Sequence, residues 1–161
     1  MLRSAVAAAI LFAAPFAHGG DKATDFTLRD IDGQSVTLSE FEGKVVVLSF
    51  WATWCGPCKE EMPHLQKMYD AKKDEGFEIL SINCDESKLR FERTVDELGL
   101  TWRHCFEGKG LAGSVPRAWS VRALPDGALI DHTGRVRYLR PWSWDLRLAV
   151  QDLLARRDKA S

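Results

Sequence analysis

A buried-strand pattern runs straight into a pair of cysteines. Val45, Val46, Val47, Leu48, Ser49, Phe50 and Trp51 form a continuous β-branched and aromatic run. Such a run suits a strand covered on both faces of a sheet. Ala52-Thr53-Trp54 ends it, and Cys55-Gly56-Pro57-Cys58 follows where a helical pattern begins, near Cys55 or Pro57. Met62, Leu65, Met68 and Tyr69 then recur at three- and four-residue spacing, and Gly76 closes the segment. Pro63 lies inside this pattern and removes a backbone donor, which predicts a kink. Phe77 to Asn83 reads as a second buried strand. Two strands joined through a helix are expected to be parallel, with a right-handed crossover.

The rest of the chain completes one architecture. Before the junction, the residues around Asp32-Gly33 alternate between apolar and polar and read as a hairpin. After it, residues 87–98 read as an amphipathic helix with Leu89, Val95 and Leu98 as core candidates. A short strand is expected over Thr101 to Phe106, and a glycine-containing loop over Gly108 to Pro116. Residues 128–131 and 136–139 flank a turn and predict a second hairpin. In the last helix Ser143 is the expected N-cap, and Leu146, Ala149, Val150, Leu153 and Leu154 make one apolar stripe. The order predicts an α/β fold: a central mixed β-sheet flanked by helices, with an N-terminal β-hairpin.

The N-terminus reads differently. Met1-Leu2-Arg3 gives a short positive start, Ser4 to Ala17 is almost wholly small or apolar, and Ala17-His18-Gly19 places small residues where a signal peptidase reads. The expectation is a signal peptide over 1–19 and a single domain over 20–161. The alternative is an uncleaved membrane anchor, although the stretch is shorter than the roughly 20 residues that span a bilayer. Export places the chain in the periplasm if the cell is Gram-negative. Lys plus Arg total 22 against 23 Asp plus Glu. That balance provides no electrostatic case for a nucleic-acid partner.

The thiolate is the reactive form of cysteine, and a helix start offers unpaired N–H groups and partial positive charge that favour it. Cys55, at the expected exposed start, is therefore the candidate nucleophile. Cys58, almost one turn on, is placed to attack a mixed disulfide. Gly56 and Pro57 suit a tight turn entering a helix. The alternatives are a zinc site or a purely structural disulfide. Zinc needs about four ligands, and Cys84, Cys105, His64 and His104 show no ligand spacing. His64 and His132 read as surface residues and Trp51 as core. Cys84 and Cys105 fall near the ends of two predicted strands, so a second disulfide and two buried free thiols both remain open.

Phe50 to Pro63, with Trp54-Cys55-Gly56-Pro57-Cys58 at its centre, resembles the active-site segment of thioredoxin-like proteins. More narrowly it is similar to the exported TlpA/ResA-type branch, whose domain is of the AhpC/TSA–redoxin-like kind. The likeness extends upstream through Phe26 to Lys44 and downstream through Trp119 to Val136. It implies a redox disulfide between Cys55 and Cys58 and a cis peptide bond at Leu124–Pro125 that presents backbone to the substrate chain. It also implies that Glu61 moves a proton for Cys58, the alternative being a solvated carboxylate on the helix. Trp54 is expected to pack beside the disulfide. Ser49 departs from thioredoxin, which has a buried aspartate there. Asp126 departs from the usual Thr or Ser and is expected to put acidic charge near the docking surface.

The function so implied is a thiol–disulfide oxidoreductase that reduces disulfides of exported proteins, with cytochrome c maturation as one setting. Disulfide-bearing exported proteins would be its substrates and a membrane thiol donor its source of electrons. No cofactor or metal is called for, and a monomer is expected. The alternatives are a non-catalytic client-binding module and a thiol peroxidase.

Overall fold

The computed structural model describes residues 20–141 and 145–160. The expected signal segment 1–19 and the expected N-cap Ser143 lie outside them. A two-stranded antiparallel hairpin, β1 (Thr27–Arg29) and β2 (Ser35–Thr37), precedes the main sheet. That sheet contains β3 (Val45–Trp51), β4 (Phe77–Asn83), β5 (Arg103–Phe106), β6 (Asp126–Ile130) and β7 (Val136–Leu139). Their order is β5-β4-β3-β6-β7. β3 runs parallel to β4 and antiparallel to β6, so the sheet is mixed as expected.

Every residue of β3 and of β4 is buried, which explains their unbroken apolar runs. Helix α1 (Gly56–Lys72) joins them, and Pro63 sits inside it without ending it. Gly76 follows with φ +78°, a left-handed conformation that L side chains rarely adopt. Helix α4 (Asp145–Ala160) buries Leu146, Val150, Leu153 and Leu154. Among the described residues no helix is long and apolar enough to cross a membrane.

Two expectations are corrected. Helix α2 (Lys88–Glu97) buries Phe91 and Val95, whereas Leu89 is 68% exposed and Leu98 36%. Phe91 and Val95 share a face at i, i+4. Leu89 stands about 200° from Phe91 around the helix, and Leu98 caps the helix beyond its last turn. The segment expected as a loop over Gly108 to Pro116 contains a 3-10 turn and the start of helix α3 (Ser114–Ala118). Glu107 organises it: Oε1 accepts from Ser114 N at 2.6 Å and Ser114 Oγ at 2.7 Å, and Oε2 from Val115 N at 3.2 Å. A carboxylate seven residues before the amide it caps leaves no periodic trace.

Candidate active site

Strand β3 delivers the chain to a turn closed by Cys55 N donating to Ala52 O at 3.1 Å. Cys55 has extended backbone and is the N-cap of α1. Its sulfur is bonded to Cys58 Sγ, with the two Cα atoms 5.3 Å apart. It also accepts from Cys58 N at 3.2 Å. An N-cap acceptor satisfies one of the orphan donors of a helix start, and here that acceptor is a sulfur. Pro57, in the first turn, has no N–H to leave unsatisfied.

Cys55 is not exposed as the sequence suggests: it is only 4% accessible, and Cys58 1%. Its sequence neighbours Trp54, Gly56 and Pro57 are exposed. Trp54, expected beside the disulfide, is 59% exposed, while Trp51 is wholly buried. Leu124–Pro125 is cis. Asp126 pairs with Phe50 across the sheet, so the cis bond lies at the end of β3 that leads to the cysteines.

Asp126 does not present acidic charge at this surface. It is buried, its Oδ1 accepts from Gly127 N at 2.7 Å, and its Oδ2 from Arg140 Nε at 3.3 Å. The exposed member of the pair is the Arg140 guanidinium. Ser49 is buried between Ser81 on β4 and Gly127 on β6. Glu61 is half-buried on α1, one turn beyond Cys58. His64 is exposed as expected, and His132 is half-buried.

Cys84 and Cys105 are both buried and free. Cys105 is level with Ile82, while Cys84 follows the end of β4. Burial pushes each thiol up to about 12, the value of an inert thiol.

The sequence reading missed a polar cluster behind the cysteine turn. Asp85, just past β4, is 2% exposed. Its Oδ2 accepts from Thr53 N at 2.9 Å and Asn83 Nδ2 at 2.8 Å, and its Oδ1 from Thr53 Oγ1 at 2.7 Å. The available signal was Asn83-x-Asp85 at the close of a buried run, polar residues where the chain is still inside. Asp85 also borders a cleft of about 500 Å³ lined by Trp54, Ser87, Arg90 and Leu111 among others.

A disulfide across the first turn of α1, at one end of a mixed sheet flanked by helices, defines the class of fold as thioredoxin-like. The model of the AhpC/TSA family matches residues 19–139. The chain belongs to the AhpC/TSA family. Over 120 residues, 74% of the chain, it is 42% identical to the thiol-disulfide oxidoreductase ResA of Halalkalibacterium halodurans. That match spans 66% of the relative, so the chain accounts for just under two thirds of its length. A crystallised protein assigned as a thiol:disulfide interchange protein DsbE, from Chlorobium tepidum, superposes with a TM-score of 0.76 at 30% identity, covering 88% of this chain and 98% of that one. The thioredoxin domain of a thiol-disulfide oxidoreductase from Bacteroides vulgatus gives 0.79 at 28% identity, covering 85% and 98%.

Proposed function

We propose that this protein reduces disulfides of exported proteins by dithiol–disulfide exchange. The observation that carries the reading is the placement of Cys55 as the cap of α1 with Cys58 one turn inside it. In the dithiol form, the Cys55 thiolate attacks one sulfur of a client disulfide. A Cys55–client mixed disulfide forms and the client's other sulfur leaves as a thiolate. Cys58 loses its proton to Glu61 and attacks Cys55 Sγ. The Cys55–Cys58 bond forms, the mixed disulfide breaks, and the second client sulfur leaves. Two electrons pass from the protein to the client, and a membrane thiol donor restores the dithiol.

Gly56 and Pro57 hold the turn between the cysteines, and Trp54 and cis-Pro125 offer the surface on which the client chain lies. The composition of residues 1–19 supports an export signal preceding a single domain over 20–161. In a Gram-negative cell the site of action is then the periplasm. The protein works as a monomer, and apocytochrome c is one client class that needs such a reductant.

The test is reduction of insulin with dithiothreitol as donor. Cys55→Ala and Cys58→Ala each lose turnover. Full activity in either variant rejects the dithiol mechanism, and client binding retained without turnover in the unaltered protein would make it a holding module.

A further inference from the structure

We propose that Asp85 is a positioning residue for the reactive dithiol, holding through Thr53 the turn that places Cys55 Sγ at the start of α1. The proposal rests on Cys55 being the attacking thiol.

A carboxylate is almost never fully buried without partners, and the Asp85 carboxylate accepts three hydrogen bonds. Two of its three incoming hydrogen bonds come from Thr53, one from the backbone N–H and one from the hydroxyl. The third comes from Asn83, whose own Oδ1 accepts from Asp85 N at 3.0 Å. Asn83 is the last residue of β4 and is level with Trp51, the last residue of β3. Cys84 N donates to Trp51 O at 2.7 Å and extends that registration one residue past the strands. The carboxylate is thus fixed to the sheet on one side and grips the turn on the other.

Thr53 is the second residue of the Ala52–Cys55 turn. Moving it rotates the turn and carries Cys55 Sγ away from the Cys58 N–H that it caps. Exchange between sulfurs depends on alignment, and a misplacement of about 1 Å can cost about a hundredfold in rate. Neither Thr53 nor Asp85 touches the sulfur; both act through the backbone between them.

Three variants separate geometry from charge. Thr53→Val keeps the shape and the backbone bond but loses the hydroxyl. Asp85→Ala loses all three bonds. Asp85→Asn can keep all three, because its oxygen accepts from Thr53 N and Asn83 while its amide donates to Thr53 Oγ1. The readouts are the pH profile of Cys55 alkylation in the reduced protein and the rate of insulin reduction, with folding checked by circular dichroism. Thr53→Val moves the Cys55 profile to higher pH. Asp85→Ala slows exchange by about ten- to a hundredfold. Adding Thr53→Val to Asp85→Ala causes no further loss, since the hydroxyl contact that Thr53→Val removes is already absent in Asp85→Ala. Asp85→Asn restores exchange to the wild-type rate.

An unchanged Cys55 profile in Thr53→Val with wild-type exchange overturns the proposal. So does Asp85→Asn as slow as Asp85→Ala. If Asp85→Ala does not fold, the other two variants decide. Labelling of Cys58 before Cys55 in the unaltered protein overturns the assignment of roles, a result distinct from either of these because it needs no variant.

Discussion

The backbone N–H of Cys58 donates to the sulfur of Cys55 at 3.2 Å, so the second cysteine supplies a donor to the first through the helix start they share. In the disulfide this bond is made to a neutral sulfur. In the dithiol the same N–H faces a thiolate, where a charge-assisted bond is roughly twice as strong as a neutral one. The arrangement favours the reduced, ionised Cys55.

Cys55 should therefore titrate below the ordinary cysteine value of about 8.5. Alkylation of the reduced protein against pH, with the labelled site mapped by mass, checks this. Cys55 is modified first at neutral pH, and Cys84 and Cys105 remain unmodified in the folded protein because burial keeps both protonated.

Glu61→Gln should slow exchange while leaving the fold intact. Glu61 lies three residues past Cys58 on α1 and is half-buried. Ser49, where thioredoxin carries its buried acid, cannot serve as a base. A single-turnover measurement of release from the mixed disulfide reads the step that needs the proton, and its pH dependence changes in the variant. An unaltered pH–rate profile would return Glu61 to the solvated face of the helix.

The redox potential should lie nearer thioredoxin's, about −270 mV, than DsbA's, about −120 mV. The Gly56-Pro57 turn and one capping N–H stabilise the thiolate moderately. A strong oxidant owes its potential to a far more stabilised reduced form. The two cases differ by about 7 kcal/mol at roughly 1.4 kcal/mol per 30 mV, which a glutathione titration resolves. A value above about −160 mV would make the protein an oxidase.

His104 should make stability depend on pH. Both of its ring nitrogens are buried without a hydrogen-bond partner among the described residues. Burial lowers its pKa to about 3. An unfolded imidazole titrates near 6.5. Between these values the unfolded chain binds a proton that the folded chain refuses, so stability is full above about 6.5 and is lost as pH falls toward 3. His104→Phe places an apolar ring among Trp51, Phe91 and Trp102 and removes this dependence. Urea unfolding at about pH 6.5 and about pH 5, above the carboxylate range, measures it. An equal loss of stability in both proteins over that interval would assign the effect elsewhere.

Residue order alone determined the strand that ends in a cysteine pair, the helix behind it, the mixed sheet and the last helix's apolar stripe. Each is a pattern within a few turns or one strand, and local periodicity records it. Only the tertiary structure decided what surrounds the pair. Thr53 meets Asp85 across 32 residues, and the buried Asp126 accepts from Arg140, just past the end of β7. Cys55 is buried in the tertiary structure, and Leu89 is left outside because Phe91 and Val95 take the core face of α2. These outcomes depend on register between segments far apart in the chain. A buried carboxylate or an inward-turned aspartate has the same letter as an exposed one, and only the partner that satisfies its acceptors distinguishes them.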